Sequence, residues 1–411
     1  MGCGSFYMQR ANCNPKSPIV IVPRMLPGNL ILAPLLDMIA EQAGEADSNR
    51  SVSPQVISEL KSNDIMRFTA AESLGGLDQS CTRVGQELEA IAAACSSTAW
   101  CLWNHLSTFH FFCGLLGPKH ADFLGDIVSK HEWVCFPAGA STAVIGSQTN
   151  QEISLQGKAA FGSGARYGEW AGVAFMHEDD QAPSFSMVNL SQSGVDIDGN
   201  WFAMSLRASA TDTVLYEGAR IPASRRVEFP FMYRVPFRDP GRPMIAHRYR
   251  EDWVGLSDMW LGAIAVGLTQ AALDEVTEGI KGRVAIMGVK VAERPTVHVN
   301  LGQAQARINA ARDTIFAALA ETDVRIDIQK IPDETDYLRQ LSASMNALQQ
   351  CEDAMRLLLR VMGGNGLREG PAFERRFRDL QAMPLHINAH QDRVSEQLGR
   401  HLLGLPTENP F

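Results

Sequence analysis

The feature that most limits the fold is a change of texture after His131 and its reversal near Asp252. Up to His131, apolar residues recur at helical spacing; beyond it come short segments rich in β-branched and aromatic residues. These read EWVCFPAGAST, EISLQGKAAF, YGEWAGVAFMH, SFSMVNL, VDIDGNW and DTVLYEGARI, with Gly, Asp, Asn and Ser between them. Strands at such intervals with turn chemistry between them predict a small barrel or sandwich. Long helical patterns then return over residues 252–281, 297–326 and 333–362, with a last helix reaching Leu403. Four apolar-striped helices on short connections predict a four-helix bundle. The fold class is therefore mainly α with a central β domain. Its expected divisions are an irregular leader (1–28), an N-terminal helical domain (29–128), a middle β domain (129–240) and a C-terminal four-helix bundle (241–411).

Within the first helical domain, Ser53-Pro54 has the cap-then-proline form of a helix start. A helix over residues 78–95 carries Val84, Leu88, Ile91 and Cys95 on one face, and Ser96-Ser97-Thr98 is expected to interrupt it. The segment AWCLWNHLSTFHFFCGLLG follows, and its apolarity marks residues 99–116 as the innermost helix. Gly363 stands where the third bundle helix should end, and Gly404 with Pro406 ends the fourth.

Composition narrows the function classes. A net charge of −9 argues against a nucleic-acid binder, which shows a basic face. The most apolar run, residues 260–268, falls short of the roughly 20 residues of a membrane helix. The eight cysteines form no C-x-x-C pair or metal-finger spacing. Cys81, Cys95, Cys101, Cys113 and Cys135 read as buried free thiols, and a reducing cytoplasm is the expected compartment. The leader begins Met-Gly, but Phe6 stands where the myristoylation pattern wants Ser or Thr.

Near the C-terminus, GGNGLREGPAFERRFRDLQAMPLHINAH joins a glycine turn to a basic cluster (Arg375, Arg376, Arg378), Asp379 and a helical segment bearing His386. Glycine turns let backbone N–H groups approach an anion, and arginines add charge and bidentate geometry. His386 and His390 also have the i,i+4 spacing of a metal pair, but no third ligand is suggested nearby, so no metal is expected.

In this order and spacing, three motifs resemble the acyl-CoA dehydrogenase superfamily: CFPAGASTA from Cys135, GKAAFGSGARYGEW from Gly157, and VMGGNGL followed by RRFRD. The resemblance covers nearly everything from about residue 29 onward. It implies that Phe136, Pro137, Ser141, Gly162 and Ser163 contact a flavin. It also implies that Gly363, Gly364 and Asn365 approach the cofactor of a neighbouring subunit in a homotetramer. In most dehydrogenases of the superfamily the carboxylate base lies eight residues after the Arg-Asp aspartate, and that position here is Ile387. A minority carry it on the first bundle helix, where the equivalent is Ser257, with Asp258 one residue and about 100° away.

The chain is closer to the superfamily's flavin-dependent two-component monooxygenases, the oxygenase components that take reduced FMN or FAD from a separate flavin reductase. The resemblance implies that O2 adds to the flavin as a C4a-hydroperoxide and oxygenates a small aromatic, heteroaromatic or amine substrate. His386 matches the family histidine beside C4a, and Ser163 matches the serine near N5. Where a tryptophan is usual in that second motif, Lys158-Ala159 stands instead. An imidazole titrates near neutrality and suits the proton relay, while an apolar wall keeps the reacting oxygen from water. Residues 99–116 offer that wall, with Trp103, Asn104, His105 and His110 as possible substrate contacts. Two other readings stay open: a flavin dehydrogenase with Asp258 as a relocated base, and a non-catalytic protein that kept the fold.

Overall fold

The computed structural model describes residues 30–138, 144–228, 234–386 and 389–407. The expected leader, Ser141 and Ile387 lie outside these residues.

The N-terminal part holds α1 (Leu36–Asn49), α2 (Pro54–Ser62), α3 (Cys81–Ala94), α4 (Ser96–Leu116) and α5 (Ala121–Ser129). Ser53 caps α2 by accepting from the Val56 N–H, with Pro54 in the first turn. Ser80 caps α3 in the same way through Arg83. The break between α3 and α4 falls on Cys95 alone, whose backbone is extended (φ −151°, ψ 112°). Ser96, Ser97 and Thr98, expected in the interruption, instead form the first turn of α4. Every residue of α4 except Asn104 is buried, as its apolar composition requires.

The middle domain is one sheet of β1 (Val134–Cys135), β2 (Val144–Thr149), β3 (Glu152–Gly162), β4 (Trp170–His177), β5 (Pro183–Asn189), β6 (Val195–Asp198), β7 (Asp212–Pro222) and β8 (Val227–Glu228). Its order is β6-β7-β3-β2-β4-β5-β8, and β1 pairs β4 off that path. Both β1 and β2 run parallel to β4, and the remaining pairs are antiparallel. The expected β domain is thus a single sheet, its described strands hydrogen-bonded in that order. Among the described residues, its segment EWVCFPAGAST contributes the two residues of β1. The strand β2 was not anticipated, because VIGSQT buries little and carries no clear alternation.

The helix α4 rests on this sheet through an aromatic contact at Gly172 in β4. A Cβ there would lie 2.2 Å from the Phe112 ring and 2.9 Å from that of Phe136. Only glycine lets the helix approach so closely.

After α6 (Arg234–Arg238) come α7 (Trp253–Lys281), α8 (Pro295–Asp327), α9 (Glu334–Met362), α10 (Ala372–Ala382) and α11 (Gln391–Leu402). The Asp252 carboxylate caps α7, and an Asp333–Asp336 capping box starts α9. By length and composition α7 is apolar enough to cross a membrane, a property the sequence reading missed. That stretch is 89% buried inside the molecule, where it packs against α3, α4, α8 and α9.

The fourth bundle helix differs from expectation because it is broken. After α10 the chain makes a 3-10 turn, Met383–Leu385, before α11 starts at Gln391. Pro384 has no N–H to donate back along α10, so the α-helical ladder stops there. His386 therefore lies on extended backbone (φ −60°, ψ 132°) rather than in a helix.

Candidate active site

Three elements meet around two tryptophans of α4. Trp100 and Trp103 lie one turn apart on the same face, with ring centroids 4.8 Å apart. Their indole N–H groups are tied in opposite directions. Trp100 Nε1 donates to Ser163 Oγ at 2.9 Å, and Trp103 Nε1 donates to the Ser257 carbonyl of α7 at 2.8 Å. The His386 ring stands edge-on to both, 5.2 Å from Trp103 and 6.0 Å from Trp100. One turn of α4 thus joins the end of β3, the first turns of α7 and the broken fourth helix.

Ser163 occupies a built position. Its Oγ lies 3.0 Å from Thr211 Oγ1, which lies 2.6 Å from Ser209 Oγ. The turn behind it depends on Gly164, whose φ of +76° suits glycine and whose N–H donates to Ser209 O at 2.9 Å. Gly162 fits against Pro137, where a Cβ would stand 3.3 Å from the proline Cβ and 3.1 Å from Asp212 O. Pro137 and Phe136 are buried, and the Phe136 N–H donates to Asn104 Oδ1 at 3.2 Å. Phe136, Pro137, Gly162 and Ser163, assigned together to a flavin, therefore share one neighbourhood with α4.

His386 is about a quarter exposed, and its packing between the tryptophans lowers its pKa to about 4, so the ring is neutral near pH 7. Among the described residues, its Nδ1 has no hydrogen-bond partner. Asp258 of α7 faces it: Oδ1 lies 4.0 Å from that Nδ1, and the carboxyl is fully buried. Burial first, and then the nearby Asp252 charge, hold the Asp258 carboxyl well above the usual carboxylate range.

The substrate-contact assignments separate. Trp103 is in the site. His105 receives the Val134 N–H on Nδ1 at 2.9 Å and places Nε2 3.2 Å from Met66 O, which fixes it as a neutral brace between β1 and α4. Asn104 is held likewise by Phe136. His110 lies further along α4 with its ring 5.2 Å from Tyr249, and burial lowers its pKa to about 3. Neither His105 nor His110 joins the His386 cluster.

The glycine turn also stands apart. Gly363 ends α9 at φ +59°, Gly364 is exposed, and Asn365 is half-buried in the following 3-10 turn. A Cβ at Gly363 or Gly364 would meet open space, so this chain alone supplies no wall there. Arg378 and Asp379, adjacent in sequence, take different hydrogen-bond partners. The guanidinium pairs with Asp47 at 2.9 Å and with Glu374. The Asp379 carboxylate accepts from Ser96 Oγ at 2.5 Å and from the Leu206 N–H at 2.6 Å. Both residues tie α10 to the N-terminal helices and to the loop before β7.

Sequence reasoning missed Thr211 and Ser209, which lie in an ordinary polar stretch and carry no motif. Trp100 was legible only as apolar wall, because its bond to Ser163 depends on the docking of α4 on the sheet.

Residues 259–391 match the family model described as the acyl-CoA dehydrogenase C-terminal domain. The chain is 24% identical over 381 residues to a flavin-dependent monooxygenase oxygenase subunit from Rhodococcus jostii, an alignment covering 90% of this chain and 97% of that protein. Among solved structures, a Streptomyces protein in complex with FADH2 and glycerol superposes with a TM-score of 0.82 at 18% identity, covering 92% and 95% of the two chains. A dibenzothiophene monooxygenase from Paenibacillus, in complex with FMN and indole, superposes with a TM-score of 0.78 at 16% identity, covering 92% and 98%.

Proposed function

We infer that this chain, which has the acyl-CoA dehydrogenase fold and that family's C-terminal domain, is the oxygenase component of a flavin-dependent monooxygenase. The observation that carries the reading is the joining of Ser163 and His386 through the two tryptophans of α4, residues that lie far apart in sequence. A dehydrogenase would need a carboxylate base; the carboxyl facing His386 is Asp258, which burial holds well above the usual carboxylate range.

The site fits a flat, mostly apolar cofactor with a few polar atoms. Gly162 packs tightly, with a Cβ there 3.1–3.3 Å from its neighbours, Phe136 and Pro137 are buried beside it, and Ser163 brings a hydroxyl. Reduced flavin with O2 supplies the oxygen atom. The chain's own residues do the rest. Ser163, oriented by Trp100 and Thr211, would hydrogen-bond the flavin ring. Neutral His386 is suited to hold or move one proton at its ring nitrogens near neutral pH. Trp100, Trp103 and the buried face of α4 exclude water, which limits wasteful release of hydrogen peroxide.

The substrate we assign is a small aromatic, heteroaromatic or amine compound, in keeping with the aromatic walls of the site. The flavin is FMN or FAD; both kinds accompany structural relatives. A transient flavin reductase supplies it reduced, as the relative's description as an oxygenase subunit suggests. We further propose a homotetramer in which Gly363, Gly364 and Asn365 meet a neighbour's cofactor; their open surroundings leave room for it. The six described cysteines are free and buried, which suits a reducing cytoplasm.

The test mixes the protein anaerobically with reduced FMN or FAD, admits oxygen and follows absorbance. A transient distinct from both reduced and oxidised flavin is expected. Its absence with either flavin, together with bleaching of bound flavin by an acyl-CoA, would overturn the reading in favour of a dehydrogenase.

A further inference from the structure

Asp258 stands out among the described polar groups. It sits within the first two turns of α7, its side chain is fully buried, and among the described residues neither carboxyl oxygen has a hydrogen-bond partner. Buried Glu251, by contrast, is paired with Arg325 at 2.6 Å and also receives Gln340 Nε2. A buried carboxyl with no partner costs several times the worth of one hydrogen bond, so its retention calls for an explanation.

Facing it is His386 Nδ1, likewise without a partner among the described residues and 4.0 Å from Oδ1. That gap is too long for a hydrogen bond, but a shift of about 1 Å at the side-chain ends closes it. The surroundings restrict both groups. The backbone of α7 is pinned on either side of the carboxyl, with Trp103 Nε1 on Ser257 O and Ser344 Oγ on Asp258 O at 2.7 Å. The two indoles hold the imidazole edge-on. The charged groups acting on Asp258 are Asp252, which disfavours its ionisation, and Arg393 of α11, which favours it.

We propose that Asp258 is the positioning residue of His386: carboxyl and Nδ1 share one proton across a closed contact, leaving Nε2 as the nitrogen that serves the flavin site. The proton is conserved in this arrangement. When Nε2 gives up its proton to an oxygen of the reaction, Nδ1 takes the carboxyl proton and Asp258 becomes the carboxylate; when Nε2 is reprotonated, the proton returns. The proposal rests on the monooxygenase reading for its purpose, but not for its geometry.

The experiment therefore has one arm without flavin. Flavin-free protein labelled with 15N-histidine is compared as wild type and as Asp258→Asn, with His386 signals assigned by their loss in His386→Gln. A changed Nδ1 shift and tautomer balance at His386, with the other histidines unmoved, is expected. In the second arm, Asp258→Asn should lower the fraction of oxygen that reaches substrate several-fold, and should add nothing further in the His386→Gln background. Unchanged His386 nitrogen signals with unchanged coupling would overturn the proposal even if the flavin chemistry runs. Changed signals without any flavin chemistry would uphold the contact and sink the monooxygenase reading instead. If Asp258→Asn does not fold, the wild-type titration decides: a sharing pair gives two steps at His386, and a single ordinary step refutes it.

Discussion

Ser163 heads a chain of hydrogen bonds, Trp100 to Ser163 to Thr211 to Ser209, in which each member orients the next. Ser163→Ala removes the acceptor of a buried indole N–H, so a stability loss of about 1–3 kcal/mol is expected, read as a lower denaturation midpoint. The same variant should bind reduced flavin more weakly; flavin affinity equal to wild type would remove Ser163 from the cofactor site. His386→Ala acts differently, because its Nδ1 lies 4.0 Å from Asp258, beyond hydrogen-bond reach, and has no other partner among the described residues. Flavin binding should stay within about twofold of wild type, about 0.4 kcal/mol, while product per oxygen falls and hydrogen peroxide rises. Product and peroxide are measured together in one oxygen-limited assay, and unchanged coupling would take His386 out of the mechanism. His386 and Ser163 were legible in the sequence because glycine, proline and Arg-Asp neighbours frame them. Asp258 was visible only as a displaced base, since its facing of His386 depends on where Pro384 breaks the last helix.

At the scale of elements, α4 is the organiser, since its one face touches the sheet, α7 and the 383–386 turn together. The sequence shows this helix plainly, because an all-round apolar helix has to be central. Its register against the sheet is not legible, and that register decides that Asn104 and His105 brace β1 rather than face substrate. Long helices with caps were readable to within a few residues; β2 and the broken fourth helix were not, for want of burial in one and because a proline outweighed helical periodicity in the other. The contact of Phe112 with Gly172 fixes the register and can be tested. Gly172→Ala places a methyl 2.2 Å from that ring and forces α4 or β4 to move. The expected cost is about 1–3 kcal/mol, as for other overpacked cores. Because Phe136 abuts the same point, flavin affinity should fall with stability. A variant as stable as wild type would mean that α4 is not anchored there.

Across the whole molecule, buried ionisable groups of opposite sign shape how stability depends on pH. Asp379 has its pKa raised to about 6, chiefly by burial. Its folded value lies above the unfolded one, so its contribution is fully present below about pH 4 and is lost as pH rises through 6. His105 and His386 have theirs lowered to about 4 by burial. Their contribution is present above about pH 6.5 and is lost as pH falls through 4. The two slopes oppose each other in the same window, so the intact protein should show a shallow profile between pH 4 and 6. Asp379→Asn removes the falling component and leaves the histidines to act alone. The variant's denaturation midpoint should therefore climb more steeply than wild type from pH 4 to 6. Chemical denaturation across that range measures it directly. Parallel profiles for the two proteins would show that Asp379 is already ionised at pH 4, held so by its bonds from Ser96 and the Leu206 N–H.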